Sequence, residues 1–189
     1  MLGLDTLYNY SLKIDQGECT IRGGSVYGAL YAFETFAQLA NVAANGSHTS
    51  LPNQTVLVRD WPMYKHRALM IDAGRRFFPA QLLKDILDTM SFVKMNVLHL
   101  HAVDFCRFGI ESKQFPQLLG DCESNATGAR CLTHGLFEGF YRQTEIAELV
   151  AYAQDLGIRV IPGAIRSCDH CCLTSLRDTH AVISLLHLL

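Results

Sequence analysis

The chain carries no excess of positive charge. Sixteen Lys and Arg stand against 18 Asp and Glu in 189 residues, a net charge of −2. That balance leaves no electrostatic footprint for nucleic acid and no basic patch for an anionic bilayer. No uncharged apolar run reaches the length that spans a membrane. The opening stretch MLGLDTLYNY has neither a basic flank nor a long apolar segment, so it does not read as a signal peptide. No G-x-G-x-x-G follows an apolar strand, which counts against a dinucleotide-binding fold. Charged residues make up only 18% of the chain and hydrophobic ones 49%, a composition for a packed core rather than for disorder. The length suits one medium domain or two small ones.

The seven cysteines form no complete metal pattern. CDHCC, Cys168 to Cys172, is half of a zinc site without a second pair at suitable spacing, so no metal is expected. Cys122 and Cys131 bracket the polar stretch CESNATGARC. They either close a small disulfide in an oxidising compartment or remain two surface thiols. Four N-x-S/T sequons, at Asn9, Asn45, Asn53 and Asn125, are glycosylation candidates and lean towards a lysosomal or secreted protein. The natural N-terminus is then expected upstream of Met1.

Along the chain, NYSLKID and ECTIRGG read as strands. Ser25 is a good N-cap for the helix VYGALYAFETFAQLA, whose residues Val26, Leu30, Phe33, Phe36, Ala37 and Leu39 mark one broad apolar face. Asn45 to Asn53 is polar and reads as a loop, and TVLVRDWP reads as a strand stopped by Pro62. Residues 1–61 are thus a piece of an α+β layer. At Pro62 the rhythm changes. RALMIDAG is a near-continuous apolar run, as in a strand buried on both faces. Pro79 opens a helix carrying Leu82, Leu83, Ile86, Leu87 and Met90, and NVLHLHAVD is the next strand. A long loop, Phe105 to Arg142, precedes a helix capped by Thr144 and stopped by Gly157, and IRVIP is a third strand. Alternating strands and helices with apolar strands predict parallel βα units, either doubly wound or in a (β/α)8 barrel. After Pro162 the pattern breaks down, and residues 166–189 fit no clean period.

Within NVLHLHAVD, His99 and His101 point to one face, because side chains alternate along a strand. In parallel α/β proteins chemistry sits at the carboxyl ends of strands. The first such strand ends in Asp72, with Arg75 and Arg76 just beyond, and the second ends in Asp104. An arginine at a strand mouth forks onto hydroxyls or carboxylates, and an aspartate there orients an imidazole. Solvated loop charges for Arg75 and Arg76, a loop cap for Asp104 and buried, satisfied histidines are the plainer readings of the same residues.

The blocks HRALMIDAGRRFFP, SFVKMNVLHLHAVD, ESKQFPQL and LVAYAQDLGIRVIP, in that order, resemble the opening of the catalytic barrel of glycoside hydrolase family 20, the β-N-acetylhexosaminidases. SVYGALYAFETFAQLA is similar to the helix of that family's non-catalytic domain, so the resemblance covers about residues 5 to 162. It implies a partial (β/α)8 barrel over residues 62–165, preceded by part of a small α+β domain. It implies removal of terminal N-acetylglucosamine or N-acetylgalactosamine, with the substrate's acetamido oxygen attacking the anomeric carbon. No cofactor is implied. By position, Arg75 matches the arginine that clamps the terminal sugar. Asp104 matches the first aspartate of the D-D pair, and His101 the second histidine of H-W-H, both supporting the site. The partner implied is an N-acetylhexosamine-terminated glycan, and full-length relatives are expected as dimers.

The sequence also departs from the family pattern. Leu100 stands in place of Trp, Phe105 in place of the second aspartate and Arg76 in place of His. IPGAIRSCDH departs from P-E-x-D-x-P-G-H directly after Pro162. The acid glutamate and its aspartate belong to a later strand, so no catalytic residue is assigned, and this chain is expected to be inactive and poorly soluble alone, as a truncated product or faulty gene model. A non-catalytic N-acetylglucosamine-binding relative and an unrelated interaction module on parallel βα units remain alternatives.

Overall fold

The computed structural model describes residues 2–42, 46, 49–52, 54–104, 107–113 and 139–164. The elements are β1 (Tyr10–Asp15), β2 (Glu18–Gly23), α1 (Val26–Leu39), β3 (Asn41–Val42), β4 (Thr49–Ser50), β5 (Val56–Asp60), β6 (Ala68–Asp72), α2 (Ala80–Phe92), β7 (Val97–Asp104), β8 (Arg107–Phe108), α3 (Gln143–Asp155) and β9 (Arg159–Ala164). The chain is a mixed α/β structure with two sheets of different grammar.

The first sheet is antiparallel, ordered β2-β1-β5. β1 and β2 join through Gln16 and Gly17, both at positive φ (48° and 83°). This is the two-residue turn whose twist matches the strands it connects. Tyr10, Leu12 and Ile14 alternate inward from β1 and pack under Tyr31 and Ala32 of α1. Ser25 caps α1 as expected, its hydroxyl oxygen accepting from the N–H groups of Tyr27 and Gly28. The buried face of α1 is only partly the expected one, with Phe36 and Leu39 packed against the core as expected. Gly28, Tyr31 and Ala32 face the sheet, whereas Val26 is 67% exposed, Phe33 57% exposed, and Leu30 and Ala37 are also exposed. Glycine sits at the closest approach, where a Cβ on Gly28 would collide with the carbonyl of Asn9. The short β3–β4 pair places Thr49 and Ser50 in strand pairing where a loop was expected.

The second sheet is built on β6, β7 and β9, all parallel, with β8 turning back on the end of β7. Leu98, Leu100 and Ala102 of β7 project towards the helices. They form one core with Leu83, Leu87 and Met90 of α2 and Ile146, Leu149 and Ala153 of α3. Leu82 is exposed rather than inward. α3 starts two residues earlier than Thr144 would set it, because the Glu145 carboxylate accepts from the Arg142 N–H at 2.8 Å and Glu111 accepts from the Gln143 N–H. Gly157, at φ 74°, ends the last turn as expected. Pro79 stands at the N-cap rather than inside α2.

The opposite face of this sheet carries three rows in register. Ala68, Val97 and Arg159 form the floor; Met70, His99 and Ile161 the middle; Asp72, His101 and Gly163 the rim. The face is open at Met70, 57% exposed, and Ile161, 38% exposed, but closed at the floor, where Val97 is fully buried. β6 is therefore not buried on both faces as its apolar run implied. It is an edge strand with helices behind it and an open front.

The two sheets meet through two cations. Arg67 lies over the rings of Tyr8 and Tyr31 and donates to the Lys94 carbonyl, the Tyr64 carbonyl and the Tyr31 hydroxyl at 2.7–2.8 Å. Lys94, in the left-handed region at φ 57°, sends its ammonium group to Tyr10 and Thr35, with Asp60 at 3.4 Å. Asn96, fully buried, accepts from the Arg67 N–H and donates to the Lys65 carbonyl.

Candidate functional site

The parallel pairing of β6, β7 and β9 brings three strand ends to one rim. Asp72 closes β6 and is in register with His101, which is in register with Gly163. After Asp72 the chain turns tightly, the Gly74 N–H donating to the His101 carbonyl at 2.7 Å. The turn is held by Asp72, whose Oδ1 accepts from the Arg75 N–H at 3.0 Å and whose Oδ2 lies 3.4 Å from Arg75 Nε. The Arg75 side chain is 68% exposed, beside Asp72 at the carboxyl end of β6. Asp72 thus orients Arg75, a contact that the sequence offered only as neighbouring letters.

The rim is braced from the side by aromatics. Tyr141 is buried, stacks obliquely on Phe77 with ring centroids 5.0 Å apart, and donates its hydroxyl to the Phe78 carbonyl at 2.6 Å. Its backbone pairs with Gly109 and Glu111 across an isolated parallel bridge at Ile110. This fastens the segment after β8 to the segment before α3. A Cβ on Gly139 would collide with the Phe77 ring.

His99 and His101 share the open face, edge to face, with ring centroids 6.5 Å apart. Both rings lean over Gly163. A Cβ there would collide with His99 Nε2 and come within 3.4 Å of His101 Nδ1. In the family pattern quoted above a glutamate follows the proline. Here the imidazoles occupy the room such a side chain needs.

Asp104 ends β7 at the same edge of the sheet as Asp72, three residues beyond His101, with its backbone paired to Arg107. Its side chain lies outside the described residues, as do Asn45, Asn53, Asn125, Cys122, Cys131 and the 166–189 segment. Asn9 is exposed at the start of β1, its side chain lying over Gly24. Cys19 is a free, exposed thiol. No set of three or more His, Cys, Asp or Glu side chains among the described residues is placed to hold a metal. No helix among them is long and apolar enough to cross a membrane.

Three parallel strands backed by helices, with an arginine and a histidine near their carboxyl ends, define an α/β protein of the kind that builds its site at the strand mouths. Residues 64–167 match the model of the glycosyl hydrolase family 20 catalytic domain, and the chain belongs to that family. It is 35% identical over 163 residues to beta-hexosaminidase subunit A1 of Dictyostelium discoideum, covering 85% of this chain and 27% of the relative. It is 35% identical over 158 residues to beta-hexosaminidase subunit alpha of Mus musculus, covering 84% and 28%. Its structure is similar to that of the chitobiase of Flavobacterium johnsoniae, with a TM-score of 0.70 and 34% identity, over 86% of this chain and 22% of that one. The chain therefore spans about a quarter of the length of the relatives it matches.

Proposed function

We propose that this chain is the leading part of a β-N-acetylhexosaminidase that removes terminal N-acetylhexosamine from glycoconjugates. In this reading residues 62–165 supply the first strands of a (β/α)8 barrel, residues 1–61 belong to the α+β domain before it, and residues 166–189 lie outside the family pattern. Arg75 clamps the hydroxyls of the terminal sugar, positioned by Asp72. His101 and Asp104 support the site from the second strand. The acetamido oxygen of the substrate is the nucleophile, and the glutamate acid with its partner aspartate comes from a later strand of the barrel. The exposed sequon at Asn9 and the three others support a lysosomal or secreted protein, and assembly with a second hexosaminidase subunit follows from the subunit relatives.

One observation carries this reading: the in-register row Asp72–His101–Gly163 puts the Arg75 turn and His101 on one edge of a parallel sheet, with His99 one row below. The test is a chimera in which residues 64–162 replace the matched part of mouse beta-hexosaminidase subunit alpha. It should hydrolyse a chromogenic N-acetylglucosaminide, and Arg75→Ala should lower kcat/KM by about a hundredfold, the loss of two charge-assisted hydrogen bonds. The 189-residue chain by itself should show no turnover. A folded chimera indifferent to Arg75→Ala would remove Arg75 from the site.

Gly163 favours a second reading, in which a relative without the acidic block binds the amino sugar and does not cleave it. N-acetylglucosamine titrated into the chain would then shift the His99 and His101 resonances, and Arg75→Ala would abolish the shift.

A further inference from the structure

Two side-chain nitrogens of Arg159, at the floor of the sheet's front, have no hydrogen-bond partner among the described residues. Arg159 opens β9 in register with Val97, on the same side of the strand as Ile161 and Gly163. Its Nε and Nη2 atoms are buried and make no hydrogen bond. Of the polar groups nearby, the Tyr8 hydroxyl gives its proton to the Gly157 carbonyl at 3.0 Å and the Asn96 side chain accepts from the Arg67 N–H and donates to the Lys65 carbonyl; neither accepts from these two nitrogens. Arg159 and Arg67 both act electrostatically on the Tyr8 phenol, so the locus is positive.

The two orphaned nitrogens are informative as a pair. Nε–H and one Nη2–H lie on the same edge of the planar guanidinium and point the same way, which is the edge that takes two oxygens side-on. A single carbonyl satisfies one of them; a carboxylate satisfies both. A buried guanidinium left unpaired is strongly unfavourable, and a paired one is tolerated. The outer edge of β9 pairs with no strand among the described residues, so backbone donors and acceptors stand beside the waiting fork.

We infer that Arg159 is a docking fork for an Asp or Glu side chain on a strand of the remaining family 20 catalytic domain. That strand adds to the free edge of β9, with the acid at its first inward position, level with the Val97–Arg159 row. An apolar residue follows two positions later, level with Ile161. The inference rests on the partial-barrel reading and adds to it the residue that registers the next piece at the floor, at the opposite end of the strands from the sugar.

The experiment co-expresses the 189-residue chain with the part of mouse beta-hexosaminidase subunit alpha that follows the matched region. It compares wild type, Arg159→Lys and Arg159→Met. Wild type should co-purify with the complementing part, and Arg159→Met should associate at least about thirtyfold more weakly, as for a buried charge pair cut on one side. Arg159→Lys should be intermediate, since an ammonium makes no side-on fork. Alone, Arg159→Met should melt at a higher temperature than wild type, because it removes an unpaired buried charge; sodium acetate should stabilise wild type over equimolar chloride and leave Arg159→Met unchanged. Equal association of wild type and Arg159→Met overturns the fork and leaves the barrel standing. A lower melting temperature for Arg159→Met shows that the guanidinium is already satisfied, and also overturns it. Failure of every variant to associate overturns the barrel reading itself and the inference with it. Association is read from co-expressed material, so it holds where an isolated variant is insoluble.

Discussion

The two sheets of this chain differ in what they have finished. The antiparallel sheet closes its buried face with one helix, and its core of Tyr8, Tyr10, Leu12, Ile14, Tyr31 and Ala32 is complete. The parallel sheet closes only its back. α2 and α3 seal Leu98, Leu100 and Ala102 from water, while Met70 and Ile161 stand uncovered on the front. Buried contacts in the parallel layer are therefore concentrated behind the sheet and are fewer in front of it. Truncation on the two sides makes the division measurable. Leu87→Ala, at a fully buried position facing the sheet, should cost about 2–5 kcal/mol in urea unfolding through lost burial and the cavity left behind. Met70→Ala, on the open front, should cost less than about 0.5 kcal/mol. A Met70→Ala cost as large as that of Leu87→Ala would mean that the front is covered in solution.

The junction between the sheets is the next largest effect. Arg67 satisfies three acceptors and two ring faces at once, all belonging to the seam between the layers. Arg67→Ala should destabilise by about 1–2 kcal/mol, because it removes two part-buried hydrogen bonds and the guanidinium packed on two tyrosine rings. It should also split a single unfolding transition into two if the layers then unfold separately. Arg67→Lys should recover only part, since an ammonium cannot fork across Tyr31 and the Lys94 carbonyl together.

Tyr31 gives the same seam a pH dependence. Burial pushes its phenol up to about 12, against the opposing pull of Arg67. Burial likewise raises Tyr8. A tyrosine whose folded value exceeds the ordinary one near 10 contributes stability that is full below pH 10 and is lost as pH rises from 10 towards 12. The difference in urea midpoint between wild type and Tyr31→Phe should therefore be constant from pH 7 to 9 and shrink above pH 10. A difference that grows with alkalinity would reverse the assignment.

Much of the parallel layer was legible in the letters, and for a physical reason. Strands backed by helices are apolar runs, and helices between them must present one apolar stripe, so β6, α2, β7, α3 and β9 announce themselves in order. The rim was legible as neighbours in sequence: Asp72, Arg75 and His101 fall at strand ends. What joins distant segments was not. Nothing in the sequence sets Arg67 between Tyr8 and Tyr31, since those contacts span more than thirty positions. Nor does it show Arg159 lacking an acceptor, or Gly163 lying beneath two imidazoles. The capping of α1 by Ser25 was local and was read. Ser25→Ala should cost about 1 kcal/mol by freeing the Tyr27 and Gly28 N–H groups.

The smallest expected effect tests the one face that was read only partly right. α1 is apolar on nearly every side, so periodicity alone could not choose between the Val26–Leu30–Phe33–Ala37 side of the expected face and the side that joins Phe36 and Leu39 to Gly28, Tyr31 and Ala32. Two physical facts choose the second. Gly28 and Ala32 are small enough for the helix to approach the sheet closely, and the Tyr31 hydroxyl reaches both Arg67 and the Lys94 carbonyl while its ring stays buried. A phenylalanine in place of that phenol satisfies neither. With Phe33 turned outward, Phe33→Gln should shift the urea midpoint by less than about 0.5 kcal/mol in stability. The inward orientation expected from sequence would instead cost about 3–5 kcal/mol for losing a buried ring. The two outcomes are far enough apart for one denaturation curve to separate them.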